Sequence, residues 1–549
     1  MVDSETPLLT EQRLERHREA GEWQDETLLD HFEAALDRHP DAEAVVDPRL
    51  RLTYAEVDDR SDRLATGLRA AGLKEGDVVT VQLPNWSEWL VVRLGLMKLG
   101  AAINPIPVNL RAGDLEYIVD LIDPSAYVIP DTNRDFDFVS MLRDRLTYDD
   151  LVVTLSARPS ETTDRESTTD LGELIEPAGD TSFPGQDPNA VSELPFTSGT
   201  TGDPKGCMMS QNTLNAAVGA YNERAEIGSD AVLLTAMPVG HQGGYGYGVY
   251  PAIRSGGTCV FLPTADWSGE RGARVIDDEG ITHIWAPTPF LHDLVHADAL
   301  AERDTSSLEL FAVGGASVSE TLLETANRRL EADVVGSYGQ TEDALATMTF
   351  PDDPAAKKTK TDGYPLGGME FKTVDPGGEF PGDTGRLLLR GPFLMLGFYR
   401  KSEQTLEAME GGADGWYRTG DLGRIDEDGY VTITGREKFV IMRGGEQVPV
   451  KKVEELLHCH EAVETAAIVA MPDDRLQEKA CAYVSTVDGS DFDFDEMIEC
   501  LKANDLTTQY LPERLELIDE FPRSVSGNIE RHELRKDIAE KLGMEPVMR

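Results

Sequence analysis

The sequence predicts an α/β fold in which a large N-terminal domain, of mainly parallel sheets covered by helices, precedes a small mixed α/β C-terminal domain. Three observations carry that expectation. The 549 residues exceed the roughly 100–200 of an ordinary single domain. Short apolar runs of strand length alternate with stretches of helical period through the first two-thirds of the chain, as strand–helix–strand units of a parallel sheet do. A turn-and-strand run over 426–434 then ends at 435–438 (GREK), and the chain beyond reads as a smaller unit of its own.

The elements follow in order. Residues 78–83 (VVTVQL) read as a buried strand. In the helical stretch that follows, Leu90, Leu94 and Met97 share a face and Gly100 ends it, before 101–106 returns as a strand. The same pattern recurs with strands at 258–262, 281–286, 308–313 and 333–335, and helices at 271–278, 290–297 and 319–330. Ligands of such sheets bind just beyond the carboxyl ends of the strands. Two glycine-containing segments are expected there, 314–316 (GGA) and 336–342 (GSYGQTE). Residues 156–189 are polar, acidic and rich in Ser, Thr and Pro, and read as a surface excursion. Past 438, strands are expected near 466–470 and 480–485.

Composition narrows the function classes. There are 100 Asp and Glu against 51 Lys and Arg, only 15 of them Lys, for a formal charge of −49. Nucleic-acid phosphates demand a basic footprint, so no nucleic-acid partner is expected. Disorder is opposed by the 40% hydrophobic content and its regular patterning. An acidic coat of this kind suits a high-salt, halophilic interior where counterions screen self-repulsion. The five cysteines (Cys207, Cys259, Cys459, Cys481, Cys500) contain no C-x-x-C pair and fit a reducing cytoplasm. The N-terminus lacks a signal-peptide pattern, and no apolar run reaches the ~18 residues of a membrane span. The expectation is a cytoplasmic protein without an integral membrane segment.

Residues 197–206 (TSGTTGDPKG) follow a short apolar segment and precede a helix on which Leu214, Val218 and Tyr221 share a face. Glycines let backbone N–H groups converge on an anion, the hydroxyls of Thr197, Ser198, Thr200 and Thr201 add donors, and Lys205 adds a mobile positive charge. Together they make a phosphate cradle. It is not the common P-loop, because Gly206 follows Lys205 where Ser or Thr would stand, and the spacing of Gly199 and Gly202 differs.

This stretch resembles the signature loop of the adenylate-forming superfamily, and the resemblance continues in order over nearly the whole chain. Residues 338–342 (YGQTE) resemble the family's YGxTE segment. That likeness implies that Tyr338, beside Gly339, stacks on adenine, Thr341 binds the α-phosphate and Glu342 ligates Mg²⁺. A carboxylate beside a triphosphate makes physical sense only with such a cation. Residues 416–423 (WYRTGDLG) resemble the next motif, implying that Asp421 accepts hydrogen bonds from the ribose. The GREK segment resembles the hinge motif, with Arg436 near ribose and phosphate and Lys438 at the pivot. Gly444, Gly445 and Glu446 match the loop that faces the nucleotide and the CoA tunnel after the small domain rotates. The implied organisation is a large AMP-binding domain (1–435), a hinge (436–438) and a small, mobile C-terminal domain (439–549).

The branch implied is the AMP-forming acyl-CoA synthetases. A carboxylate attacks the α-phosphate of Mg·ATP to give acyl-adenylate and pyrophosphate, and a thiol then releases AMP. The implied ligands are ATP, Mg²⁺, CoA and a small carboxylate. The acyl pocket should be walled by 238–247 (PVGHQGGYGY), with Gly314, Gly315, Ala316 and Ser337. His241 takes the family's aromatic gate position, or is an ordinary packed histidine on a loop. The absence of an Asp in 238–247 argues against an amino-acid substrate. Gly240, Gly243, Gly244 and Gly246 suggest room for a medium or cyclic apolar acyl group.

One departure stands out. Residues 521–535 (FPRSVSGNIERHELR) resemble the family's final motif, where the residue after the glycine is a lysine used in adenylation. Here it is Asn528. Three consequences are open: Arg523 or Arg531 substitutes for the charge, adenylation is slow, or the protein binds nucleotide or acyl-CoA without turnover. A non-CoA acceptor is a further alternative.

Overall fold

The computed structural model describes residues 6–547 apart from 146–152, 159–167, 176–181, 198–203, 315–317, 319, 376–382, 438–440, 444–445, 474–476, 488–489, 505, 507, 524–528 and 545. Its described residues form two compact units. The first takes the chain up to Thr197, Pro204–Glu370 and Arg390–Trp416, and the second takes Phe371–Leu389 and Tyr417–Arg549.

Among the described residues, two large sheets build the first unit. One has nine strands among the described residues, in the order Tyr364–Pro365, Ala344–Met348, Asp333–Gln340, Leu310–Gly314, His283–Pro287, Val232–Thr235, Thr258–Phe261, Glu43–Val46, Arg51–Thr53. The six neighbours from Asp333–Gln340 to Glu43–Val46 pair in parallel. From Val232–Thr235 the chain steps to one side for Thr258–Phe261, then crosses to the other for His283–Pro287 and onward. The order therefore reverses between the carboxyl ends of Val232–Thr235 and His283–Pro287, and ligand crevices of open parallel sheets lie at such a switch point. An apolar core that includes Leu234, Ile284, Phe311 and Val313 packs with Ile276, Leu291 and Leu323 of the covering helices.

The other sheet runs Gly397–Phe398, Cys207–Ser210, Val191–Glu193, Ala102–Pro105, Val78–Val81, Ala126–Pro130, Val153–Ala157, Thr169–Asp170. Ser87–Leu99 connects two of its strands and is buried along nearly its whole length, and it stops at Gly100 in the left-handed region, φ 77°. Gln211–Arg224 starts on a capping box of Ser210 and Thr213. No helix among the described residues is long and apolar enough to cross a membrane.

The expected strands and helices between 258 and 330 fall within about two residues of those found. Two expectations need correction. The excursion over 156–189 is not wholly a surface loop. Val153–Ala157 pairs in parallel with Ala126–Pro130, Thr169–Asp170 extends that edge, and Leu174 of the short helix Leu171–Ile175 packs on Gly67. Nor does the strand at 333–335 end where the glycines begin. It continues to Gln340, pairing in parallel with Leu310–Gly314 as far as Gly336 and antiparallel with Ala344–Met348 from Ser337 onward.

The second unit is mixed α/β. An antiparallel arrangement sets Trp416–Ile425 between Gly385–Arg390 and Val431–Arg436. A further sheet pairs Val463–Asp473 with Gln477–Thr486, adds Ile441–Arg443, Glu446–Val448 and Arg514–Leu517, and has the helices Val450–His458, Phe494–Ala503 and Arg531–Leu542 packed around it. Both expected strands here are longer than the sequence suggested, because their polar ends pair as well.

Candidate active site

The glycine- and threonine-rich loop is closed at its base. Phe196 and Gly206 form an antiparallel bridge, the Thr197 N–H donates to the Lys205 carbonyl at 2.9 Å, and the Lys205 N–H donates to Thr197 Oγ1 at 3.3 Å. A Cβ at Gly206 would crowd the Phe196 ring at 3.1 Å. The Lys205 ammonium lies 4.6 Å from the centroid of the Phe398 ring. Ser198, Gly199, Thr200, Thr201 and Gly202 lie outside the described residues.

The YGQTE segment is a hairpin. Tyr338, Gly339 and Gln340 finish one strand, Thr341, Glu342 and Asp343 turn, and Ala344 starts the return in the left-handed region at φ 56°. A non-glycine residue there is uncommon and is held by its surroundings. A Cβ at Gly339 would collide with the Ala344 carbonyl, so the turn tolerates only glycine. Asp343 is wholly buried and its Oδ1 accepts the Gln340 N–H at 2.9 Å.

One segment joins these two features. Tyr399 N–H donates to the Gly206 carbonyl, Leu396 N–H to Met208, and Met395 N–H to Glu342, all at 2.8 Å. Cys207 reports the result: burial raises its thiol pKa well above the ordinary value, with further upward pressure from Glu342 and Asp343 and an opposing pull from Lys205. Lys205 and Glu342, 137 residues apart in sequence, are thus tied into one region by residues 395–399. Among the described residues no three His, Cys, Asp or Glu groups form a metal cage. Mg²⁺ needs none where phosphate and water oxygens complete its shell around one or two carboxylates, so Glu342 fits that role.

The 238–247 segment lies at the switch point. Asn85 fixes its entry: Nδ2 donates to the Thr235, Met237 and Leu262 carbonyls, and Oδ1 accepts the Val239 N–H. His241 caps the next turn, its Nδ1 accepting the Gly243 N–H at 3.0 Å. Burial lowers the His241 pKa, which keeps Nδ1 an acceptor and puts the ring proton on Nε2. Gln242–Gly244 leads into a π-helical turn, Tyr245–Val249, a form frequent at functional sites. Ser337 Oγ donates to the Val313 carbonyl at 2.9 Å.

Three of the four glycines do not leave the expected space. A Cβ on Gly240 would collide with the Ile106–Pro107 backbone, one on Gly244 with Pro238, and one on Gly243 would come 2.6 Å from the Trp285 ring. Of the four, only Gly246 could take a Cβ without a clash, its nearest contact being Gln242 Cγ at 3.5 Å. Close approach of other protein atoms, and not substrate room, accounts for the rest.

In the second unit, Asp421 and Arg436 are a register pair of one antiparallel ladder and form an ion pair at 2.8 Å, with Asp421 buried and Arg436 half exposed. Thr419 Oγ1 accepts the Asp421 N–H at 3.0 Å and donates to the Leu387 carbonyl. Arg531 is engaged: its Nη2 donates to both carboxylate oxygens of Glu454 at 2.8 Å. Arg523 forms an antiparallel bridge with Ile529. Asn528 lies outside the described residues, as do Gly315, Ala316, Lys438, Gly444 and Gly445.

The sequence reading missed three features. Asp343 follows Glu342 directly, yet only the hairpin shows its role. Trp285 gives no periodic signal within its strand. Arg93 and Glu193, an opposite pair set in apolar runs (LVVRLGLM and VSELPF), carried a usable signal in their isolation.

The chain matches the model of the AMP-binding enzyme family over residues 32–399 and that of the AMP-binding enzyme C-terminal domain over 452–528. It is 31% identical over 547 residues to the medium-chain fatty-acid–CoA ligase of Escherichia coli (strain K12), covering 98% of this chain and 95% of that protein. Identity to the 2,3-dihydroxybenzoate-AMP ligase of Bacillus subtilis (strain 168) is also 31%, over 540 residues, 96% of each. Among solved structures, ATP-bound MatB from Rhodopseudomonas palustris matches with a TM-score of 0.81 at 26% identity, over 93% of this chain and 98% of that one.

Proposed function

This chain belongs to the AMP-binding enzyme family of adenylate-forming ligases, and from that premise we propose that it is an acyl-CoA synthetase. It activates a carboxylic acid with ATP to an acyl-adenylate and passes the acyl group to CoA, releasing pyrophosphate and AMP. The observation that carries this is the joining of the Lys205 neck to the Glu342 turn by residues 395–399, whose Met395, Leu396 and Tyr399 N–H groups donate to the Glu342, Met208 and Gly206 carbonyls.

In the first step a carboxylate oxygen attacks the α-phosphorus while the bond to pyrophosphate breaks. Lys205 and the loop's N–H groups hold the outer phosphates, and Thr341 donates to the α-phosphate. Bound Mg²⁺, held by Glu342, would neutralise phosphate charge. In the second step a CoA thiolate attacks the acyl carbon and the bond to AMP breaks. Tyr338 and Asp421 hold adenine and ribose, and a rotation about the 436–438 hinge, with Lys438 as pivot, lets the Gly444–Gly445 loop serve the second half-reaction.

CoA as acceptor draws support from the Escherichia coli relative, which is named a CoA ligase. The Bacillus subtilis relative is named an AMP ligase, so the acceptor must be measured. The test follows pyrophosphate release over a panel of carboxylates in high salt, then CoA-dependent AMP release, for the wild type and Asn528→Lys. Release by the wild type with CoA-dependent AMP formation supports the proposal. Losing a comparable transition-state donor costs ~10²–10³ in rate, so a much faster lysine variant would assign slow adenylation to Asn528. Pyrophosphate release without a CoA response points to another acceptor. No release by either protein, with ATP or acyl-CoA still bound, establishes the second reading, a binding protein without turnover, which only Asn528 favours.

A further inference from the structure

We propose that Trp285 sets the depth of the acyl pocket and restricts this enzyme to compact carboxylates, short chains or single rings, excluding long alkyl chains. The inference deepens the proposed function and rests on it for the identity of the ligand.

Trp285 lies on His283–Pro287, the central strand on one side of the switch point. Ile284 and Ala286 point into the apolar core, whereas Trp285 and Pro287, on the opposite face, stay part-exposed. Exposure on a strand flanked by parallel neighbours means an open crevice over that face. The indole crosses this crevice. A Cβ on Gly314 would collide with its Cζ2, and one on Gly243 would come 2.6 Å from its Cζ3. Its benzo edge therefore fills the gap between the 238–247 wall and the Gly314 strand.

The ring is also held in place. Nε1 donates to Ser337 Oγ at 3.3 Å, and Ser337 in turn donates to the Val313 carbonyl. The Tyr247 ring packs at 4.9 Å between centroids, tilted by 44°, and Tyr247 is itself wedged against Tyr221. A tethered indole, backed by two tyrosines and by glycines that cannot retreat, is a fixed floor. The glycines at 243 and 314 serve the tryptophan and not the acyl group.

Each added methylene that a pocket accepts or refuses is worth about 10–200-fold in selectivity. Trp285→Ala should therefore raise the octanoyl-to-butanoyl preference by well over 10-fold, with Trp285→Phe between the two. The measurement is calorimetric binding of 5′-O-(N-acylsulfamoyl)adenosines bearing butanoyl, benzoyl, octanoyl and dodecanoyl groups, which requires no turnover. ATP affinity of each variant reports folding and should stay within about twofold. The wild type is expected to bind the butanoyl and benzoyl compounds and to refuse the dodecanoyl one, and the alanine variant to accept the longer chains. A selectivity order unchanged in both variants, at normal ATP affinity, would overturn the inference, as would tight dodecanoyl binding by the wild type. If the alanine variant loses ATP binding, the phenylalanine variant decides. Analogue binding shifted as expected, without pyrophosphate release from any free carboxylate, would sustain this inference while the catalytic reading fails. No analogue binding at all would end both.

Discussion

Glu193→Gln should destabilise the first unit and loosen the phosphate loop together. Arg93 and Glu193 are both fully buried, with Nη2 to Oε1 at 2.9 Å. Arg93 also donates from Nε to the Tyr250 hydroxyl and from Nη2 to Ser192 Oγ, each at 2.8 Å, and Tyr250 donates to Glu193. Burial pulls the guanidinium pKa down, but Tyr250 and Glu193 outweigh it and hold the net value above the ordinary one. Glutamine keeps the shape and removes the charge, leaving a buried cation without its counter-charge, an imbalance that costs about 3–5 kcal/mol. For a unit of about 400 residues that is roughly a 4–6 °C fall in Tm, measured on its transition by calorimetry. Since Glu193 stands four residues before Thr197, KM for ATP should rise as well. The Arg93→Met, Glu193→Leu double variant removes both charges and should lose less than the single one. A single variant within 1 °C of wild type, or a double variant worse than the single, would refute the reasoning.

Three further outcomes are expected. Gly339→Ala forces a methyl group into the Ala344 carbonyl, and should abolish pyrophosphate release while far-ultraviolet dichroism stays unchanged; retained activity would show that the turn can move. His31 is held below its ordinary pKa, at about 4, by burial and by the Arg254 charge, and its Nε2 pairs with Arg254. Between pH 6.5 and 4 the unfolded state takes up a proton that the folded state refuses, so this stability is present above pH 6.5 and lost as pH falls through the window. Relative to wild type, His31→Gln should lose less Tm between pH 7 and 5, and an identical slope would contradict the assignment. A formal charge of −49 should make Tm rise with KCl as repulsion is screened; a flat response would remove the argument for a high-salt setting.

Local chemistry made much of this legible in the sequence. The strand at 258–262, the helix ending at Gly100 and the helix carrying Leu214, Val218 and Tyr221 follow from apolar period and from a glycine stop, which are properties of neighbours in sequence. The loop ending at Lys205 and the YGQTE turn were recognisable because phosphate binding needs glycines and hydroxyls close together. What escaped depends on distant partners. Gly243 looks like open space until Trp285 is placed against it. The strand at 333–335 runs on to Gln340 because a second, antiparallel neighbour takes over its hydrogen bonds. The pairing of Arg531 with Glu454, 77 residues away, likewise has no local signal.

The central claim is that a carboxylate oxygen attacks the α-phosphorus of ATP at the site framed by Lys205, Thr341 and Glu342. Mass spectrometry of AMP formed from a doubly ¹⁸O-labelled carboxylate, the one giving the fastest pyrophosphate release, tests it directly. The account predicts AMP carrying one ¹⁸O per turnover, with unlabelled pyrophosphate, and loss of that signal in Lys205→Met. Label appearing in phosphate, or ADP formed in place of AMP, would contradict it.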